Sequence, residues 1–242
     1  MNSKTIKERI RKANKRQHSY RSKILKYHKR IQFLRKIRTV YLNGKTISGL
    51  QRILNLMLEY NTTTLHIGSE KHPYTLGSTL YLIDIRYNTY YKSSNLFPEN
   101  KEQWFEPEHL SKIFADREDI KYRYCQSLGN PDKIGKNEEY INDPDKQKEL
   151  YFQYLQSNHK KYATKDEFDR LFALAYNKKP LYQICLMCYC EPEKRFCHRF
   201  WLREALLRRY YEVEEIEYSV PVLPHYPIDH FENKIEKLKV TS

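Results

Sequence analysis

The strand–turn–helix pattern of residues 181–209 limits the folds available to this chain more than any other feature. Residues 181–188 form an apolar run of strand length, a turn follows around Pro192, and a helical pattern begins near residue 198. Four of the five cysteines lie within this stretch, at Cys185, Cys188, Cys190 and Cys197. A strand that leads into a helix in this way is typical of α/β domains.

The same pattern predicts where any chemistry would take place. It puts Cys188 at the carboxyl end of a strand, and the triplet Cys197-His198-Arg199 in the first turn of the next helix. In open α/β sheets, ligands bind in the crevice beyond the carboxyl ends of the strands. A helix N-terminus also offers unpaired N–H groups to an anion. We therefore expect the functional site at this strand end.

The rest of the chain carries strand and helix patterns in the order expected for an α/β domain. Strand patterns occur at residues 64–68, 79–86, 120–125 and 213–220. Helical patterns occur at residues 47–60, 108–118, 146–157, 164–176 and 198–210. Thr164 and Glu167 match a capping box at the start of one helix. This order predicts an α/β fold with a mainly parallel sheet and flanking helices, preceded by a basic helical N-terminal arm.

We divide the chain into three parts on the basis of composition. The basic arm covers residues 1–42, the α/β domain covers residues 43–220, and a proline-punctuated tail covers residues 221–242. Within the arm, a helical period runs from Ile24 to Tyr41 and predicts a helix that is docked on the body along one apolar stripe.

The net charge of +14 is concentrated in the arm. Residues 1–40 hold 15 Lys and Arg and a single acid, Glu8, whereas the remainder holds 29 charges of each sign. This density predicts salt-sensitive, largely sequence-independent binding to the phosphates of DNA or RNA. The predicted phosphate-binding residues are Arg9, Arg11, Lys12, Lys15, Arg16, Arg21, Lys23, Lys26, Lys29 and Arg30. A solvated tail, an organellar targeting segment and a membrane-surface helix are the alternatives.

Several classes of protein do not fit this sequence. Neither GxGxxG nor GxxxxGK[ST] occurs, so a glycine-rich phosphate loop is not expected. No apolar run approaches the length of a membrane span, and the N-terminus lacks the apolar core of a signal peptide. Without a secretory signal, the five cysteines are best interpreted as reduced thiols, which predicts a cytoplasmic protein with no membrane partner.

Two charged residues end the apolar run of residues 79–86. Asp84 and Arg86 form an internal ion pair in one interpretation. In the other, Arg86 binds a phosphate or carboxylate with its planar guanidinium, and Asp84 acts as a base or orients a neighbour. Tyr87 opens an aromatic loop, residues 87–108, which either packs over the core or lines the site and stacks bases.

The cysteine stretch allows three interpretations. In the first, the thiol of Cys188 or Cys197 is activated as a thiolate by the helix N-terminus, His198 and Arg199. In the second, the cysteines and His198 bind zinc, but strand alternation would point Cys185 and Cys188 to opposite faces. In the third, the cysteines are small buried side chains and the polar residues are structural. We favour an anion or nucleotide site without a cofactor over the zinc site.

The sequence LMCYCEPEKRFCHRFWLREAL resembles the signature of a family called domain of unknown function 488. Cys188, Cys197, His198 and Arg199 match that signature. The segments LIDIR (82–86) and IKYRYCQSLGN (120–130) and the pair Tyr151 and Tyr154 also fit, so the resemblance covers about residues 62–220. It implies an α/β fold similar to nucleotide-processing folds, with Tyr154 near the ligand.

The chain departs from the family pattern at two places. Gly68-Ser69-Glu70 stands where members often have Gly-His-Ser, so only Ser69 is carried over as a ligand-binding candidate. Cys190 stands where a glutamate is common. Two hypotheses for function result. The chain is an enzyme that acts on nucleic acid or a nucleotide through the Cys/His/Arg crevice, or a non-catalytic nucleic-acid-binding or interaction protein with a structural cysteine stretch.

Overall fold

The computed structural model describes residues 8, 11–12, 14–15, 29–30, 33, 36–42, 45–59, 62–67, 70–75, 79–87, 105–139, 142–159, 163–177, 182–189 and 197–214. The strands, in chain order, are β1 (Ile37–Tyr41), β2 (Thr62–Ile67), β3 (Glu70–Thr75), β4 (Thr79–Asp84), β5 (Ile120–Tyr124) and β6 (Tyr182–Cys188). The α-helices are α1 (Ile47–Glu59), α2 (Pro107–Ala115), α3 (Asp132–Gly135), α4 (Pro144–Leu155), α5 (Thr164–Tyr176) and α6 (His198–Val213). A short 3₁₀ helix covers Gln126–Leu128.

The centre of the domain is a parallel sheet of four strands in the order β1-β6-β4-β5. In the register of the sheet, Tyr41 is opposite Cys188, and Asp84 is opposite Met187 and Tyr124. All four strands therefore end along one side of the sheet, which we call the carboxyl edge. The predicted α/β fold with a parallel sheet and flanking helices is confirmed.

Helices cover both faces of the sheet, and the alternation of side chains along β6 decides which core each residue joins. Ile184, Leu186 and Cys188 pack with α4, α5 and α6 in one core. Cys185 and Met187 pack with α1 and α2 in the other. This is the period-two pattern of a strand that is buried on both faces. The predicted separation of Cys185 from Cys188 is confirmed.

Two predictions about the elements that build the sheet were wrong. The segment at residues 64–68 belongs to an antiparallel hairpin, in which β2 pairs with β3, and it lies outside the parallel sheet. The outer position beside β6 is filled by β1, from a region that we had assigned to a helix running as far as Tyr41. The sequence IRTVY is rich in β-branched and aromatic residues, which suit a strand once a partner strand is available.

The predicted capping box at the start of α5 was also wrong. Thr164 is the first helical residue rather than the N-cap, and its buried hydroxyl makes no hydrogen bond to the helix. The side-chain oxygen of Asn158 instead accepts hydrogen bonds from the N–H groups of Lys165 and Asp166, at 3.0 and 3.4 Å. Glu167 is left to pair with Arg123 at 2.9 Å.

At the C-terminal end, α6 continues to Val213, so the strand predicted for residues 213–220 does not begin there. The rest of that strand and the tail from residue 221 lie outside the described residues. In the part of the chain that is described, none of the helices has the length and apolar character needed to cross a bilayer.

Candidate functional site

Three of the predicted site residues meet at the carboxyl edge. Cys188 ends β6, Cys197 is the N-cap residue of α6, and His198 is the first residue of that helix. The two Sγ atoms and the Nδ1 atom of His198 all lie within 4.8 Å of one another. Nδ1 is 3.9 Å from Sγ of Cys188 and 4.0 Å from Sγ of Cys197. All three residues are buried, with exposures of 3%, 3% and 8%.

The orientation of the His198 ring follows from its second nitrogen. Nε2 lies 2.9 Å from the backbone oxygen of Ile85, at the end of the neighbouring strand. Because a carbonyl can only accept a hydrogen bond, we assign the ring proton to Nε2. The lone pair of Nδ1 then faces the two sulfur atoms. The result is an imidazole that can accept a proton from a thiol or donate electrons to a metal ion.

Tyr151 closes one side of this group. Its ring meets the His198 ring edge-on, with 6.1 Å between the centroids. The hydroxyl donates to the backbone oxygen of Leu128 at 2.5 Å, and burial raises the pKa of Tyr151 well above its usual value. The hydroxyl therefore serves as a fixed hydrogen-bond donor. Tyr154, which we predicted as a ligand-binding residue, donates its hydroxyl to the backbone oxygen of Ser127 at 2.9 Å.

Asp84 and Arg86 form a buried bidentate ion pair. Nε and Nη2 of Arg86 donate to the two carboxylate oxygens of Asp84 at 2.8 and 2.5 Å. Nη2 also donates to the backbone oxygen of Phe105, and the hydroxyl of Tyr122 donates to Asp84 at 2.9 Å. Burial, with the nearby Asp84 carboxylate, raises the pKa of Tyr122, so this hydroxyl remains a donor. Of the two interpretations that the sequence allowed, this geometry is the internal ion pair.

Arg199 follows His198 on α6 and is 2% exposed. Its guanidinium carbon lies 4.7 Å from the centre of the Phe200 ring and 5.6 Å from that of Tyr41. Nζ of Lys45 lies 3.9 Å from the centre of the same Tyr41 ring. The edge therefore combines two cations with an aromatic ring that is only partly buried.

The remaining predicted site residues are Tyr87, Ser69 and the basic residues of the arm. Tyr87 is partly buried, and its backbone oxygen accepts a hydrogen bond from Gln126 at 2.7 Å. Ser69 lies outside the described residues, as do five predicted phosphate-binding residues: Arg9, Arg16, Arg21, Lys23 and Lys26. Four others are exposed: Arg11, Lys12, Lys15 and Lys29. Arg30 is half-buried, with its guanidinium carbon 5.2 Å from the centre of the Tyr211 ring.

The comparisons with known proteins bear directly on the Cys/His group. Residues 81–206 match the family model described as domain of unknown function DUF488. The chain belongs to this family. The comparison with curated proteins and the comparison with solved structures gave no match.

The DUF488 segment begins within β4 and ends within α6, so it contains the Asp84–Arg86 pair, Cys188 and the Cys197-His198-Arg199 triplet. The family resemblance inferred from the Cys-His-Arg stretch is confirmed. The basic arm, β1 and the hairpin precede the matched segment.

Sequence reasoning missed the partners that come from neighbouring strands. Tyr41 is the last residue of β1 and Tyr122 lies in the middle of β5. The backbone oxygens of Ile85 and Phe105 come from segments distant in sequence. Only the aromatic residues leave a signal in the sequence, because each belongs to a segment with a regular apolar pattern. A backbone oxygen leaves none.

A second polar group of the DUF488 segment lines a cavity of about 390 Å³ between β4, β5 and α5. There Glu167 pairs with Arg123 at 2.9 Å, and Sγ of Cys125 lies 3.5 Å from Glu167. Burial, with Glu167 nearby, raises the pKa of the Cys125 thiol, which keeps it protonated at neutral pH. The carboxyl edge offers the more reactive set of groups.

Proposed function

We propose that this DUF488 protein associates with nucleic acid through its basic arm and acts on a nucleotide unit at the carboxyl edge. The observation that carries this proposal is the direct connection between the basic arm and the carboxyl edge. Phe33, at the base of the arm, is buried and stacks on Tyr210 near the end of α6, with 4.6 Å between the ring centroids. From there β1 runs to Tyr41, which is opposite Cys188 in the sheet.

The dimensions of α6 support this arrangement. Tyr210 comes 12 residues after His198, which is about 18 Å along a helix. That distance is about five base pairs of duplex, at roughly 3.4 Å per pair. A strand of nucleic acid that is held by the arm would therefore need only a few nucleotides to reach the carboxyl edge.

The groups at the edge suit a phosphate-bearing, aromatic ligand. Lys45 and Arg199 supply positive charge, and they lie beside the partly buried aromatic ring of Tyr41. His198, held by the backbone oxygen of Ile85, is placed to move a proton to or from a group beside the two sulfurs. Because Cys188 and Cys197 lie so close together, we also propose a reducing, cytoplasmic setting in which both thiols are preserved.

The proposal is tested by measuring the binding of labelled DNA and RNA oligonucleotides over a series of salt concentrations. The full-length protein should show a steep loss of affinity with salt, with a slope that falls by about 0.7 to 0.9 for each phosphate contact removed. The triple variant Arg11→Ala, Lys12→Ala, Lys15→Ala should bind more weakly and with a shallower slope. A matched control, Lys121→Ala, changes an exposed lysine on β5 and should leave the slope unchanged.

Catalysis is tested on the same oligonucleotides and on nucleotides by mass spectrometry of the products. The wild type should convert at least one of them, and His198→Ala should not, while it retains the salt-dependent binding of the wild type. Binding that is insensitive to salt and to the arm substitutions would contradict the nucleic-acid part of the proposal.

One observation favours a second candidate, the non-catalytic nucleic-acid-binding protein. Cys188, Cys197, His198 and Arg199 are each at most 8% exposed, as expected of structural groups. In that case His198→Ala would lower the melting temperature without changing binding, and no substrate would be converted by the wild type.

A further inference from the structure

Cys188, Cys197 and His198 bring three donor atoms within 4.8 Å of one another, and we infer that they bind a single Zn²⁺ ion. This inference deepens the proposed function, since it concerns the same site, but it does not depend on a nucleic-acid partner. With Zn–S and Zn–N distances of about 2.3 and 2.1 Å, tetrahedral geometry sets S···N at roughly 3.6 Å. The observed S···N distances of 3.9 and 4.0 Å lie within a few tenths of an ångström of that value, and the two sulfur atoms lie within 4.8 Å of each other.

The hydrogen bond from His198 to Ile85 prepares the imidazole for a metal. Metal-bound histidines typically donate their other ring N–H to a carboxylate or a backbone carbonyl, which fixes the ring and its tautomer. His198 does this through Nε2, at 2.9 Å from the Ile85 oxygen, and keeps the lone pair of Nδ1 for the sulfurs.

Hydrogen bonding alone explains the geometry less well. Nδ1 has one lone pair and can accept a proton from one thiol, yet Cys188 and Cys197 lie at nearly equal distances from it. Both distances are long for a hydrogen bond, even with sulfur as the donor. Three donor atoms arranged around a common centre are what an ion requires.

Charge balance also favours zinc at this buried position. Two thiolates and a neutral imidazole around Zn²⁺ carry no net charge, so the complex avoids the cost of burying an unpaired ion. Cys185 lies in the apolar core, where burial raises the pKa of its thiol to about 12. That thiol therefore stays protonated and uncharged at neutral pH. At the carboxyl edge, by contrast, Cys188 lies near the cationic side chain of Arg86, and Cys197 occupies the N-cap position of α6 without a side-chain hydrogen bond to the helix.

The donor set selects the metal and suggests its role. Two sulfurs and one imidazole nitrogen favour zinc over Mg²⁺ or Ca²⁺, which prefer oxygen ligands. Three protein ligands leave a fourth position, which in catalytic zinc sites is occupied by water whose pKa the metal lowers to about 7. A zinc-bound water would give the proposed enzyme a nucleophile that the thiols need not supply.

The test is the zinc content of the purified full-length protein, measured by inductively coupled plasma mass spectrometry after loading with zinc and desalting. We expect about one equivalent per chain, and at least about a tenfold loss in Cys188→Ala, Cys197→Ala and His198→Ala. The matched control is Cys185→Ala, which removes an equally buried thiol from the opposite face of β6 and should keep the full zinc content. Wild-type protein with no more zinc than His198→Ala would overturn the inference, as would an equal loss in Cys185→Ala.

A second measurement does not depend on the variants being folded. Co²⁺ added to the metal-free wild type should produce the strong thiolate-to-metal charge-transfer absorption of a cysteine-ligated site. A folded wild type that gives no such band, or one in which Cys188 and Cys197 form a disulfide under reducing conditions, would contradict the zinc site.

Nucleic-acid binding and turnover are measured on the same preparations. Protein that contains zinc but neither binds nor converts nucleic acid or nucleotides would remove the proposed function and leave the metal site standing. Protein that binds nucleic acid in a salt-dependent way but contains no zinc would remove the metal site and leave the nucleic-acid part of the proposed function standing.

Discussion

Cys185 and Cys188 lie three residues apart on β6 and are almost equally buried, at 0% and 3% exposure, yet their surroundings differ completely. Cys185 faces the apolar core formed with α1 and α2. Cys188 faces Cys197 and His198 at the point where the strand ends. The difference teaches that burial alone does not determine the chemistry of a thiol. Strand alternation and position relative to the carboxyl edge decide whether polar partners can reach it.

Removing Asp84 should have the largest effect on the polar surroundings of the carboxyl edge. Asp84→Ala leaves the Arg86 guanidinium buried without its carboxylate, and we expect a loss of about 3 to 5 kcal/mol in the free energy of unfolding, measured by chemical denaturation. Arg123 is 51% exposed and pairs with Glu167 near the surface. The variant Arg123→Ala, which breaks this pair, should therefore lose less than about 1 kcal/mol in the free energy of unfolding. Similar losses in the two variants would mean that the carboxyl edge is no more tightly organised than the surface.

The double variant Asp84→Ala, Arg86→Leu sharpens this result. With the charge of Arg86 also removed, the double variant should recover part of the stability lost in Asp84→Ala. If it is less stable than the single variant, the buried charge is not the cause of the loss.

Chelation distinguishes the two thiols with a smaller expected effect. An ion that is present at about 100 times its dissociation constant stabilises the folded state by about 2.7 kcal/mol. A strong chelator should therefore lower the melting temperature of the wild type and of Cys185→Ala. In Cys188→Ala, the melting temperature should already be lower and should not respond to the chelator. A chelator response in Cys188→Ala equal to that of the wild type would place the ion elsewhere.

Alkaline pH tests the apolar side of the comparison. The unfolded chain releases the proton of Cys185 near pH 9, whereas the folded chain holds it to about pH 12 because the thiol is buried. The unfolded state therefore binds fewer protons in this window, and the stabilising contribution of the protonated thiol is lost as the pH rises. The free energy of unfolding should fall more steeply with pH in the wild type than in Cys185→Ala. If the free energy of unfolding depends on pH in the same way in both proteins, the raised pKa of Cys185 is contradicted.

The sequence predicts the Cys/His group well because its signals are local. The apolar run that ends at Cys188 and the helical pattern that begins at His198 are both complete within a short stretch, and the strand and helix found there agree with them. The same alternation separates Cys185 from Cys188 without any knowledge of tertiary contacts.

The parts that sequence reasoning missed depend on contacts between distant segments. The sequence predicts a helix over β1 because Tyr41 falls on the helical period that starts at Ile24, and only pairing with β6 makes this segment a strand. Asp84 and Arg86 were open to two interpretations, since the sequence does not reveal that Tyr122 and the backbone oxygen of Phe105 bind them. Such partners are decided by strand order, which local patterns do not encode.

X-ray absorption spectroscopy at the zinc K-edge of the loaded wild-type protein tests the central claim most directly. It should show two sulfur ligands at about 2.3 Å, with the remaining ligands being nitrogen or oxygen at about 2.0 to 2.2 Å. The sulfur shell should drop to one ligand or disappear in Cys188→Ala and remain at two in Cys185→Ala. A wild-type spectrum with only nitrogen and oxygen ligands would contradict the assignment of Cys188, Cys197 and His198 as a zinc site.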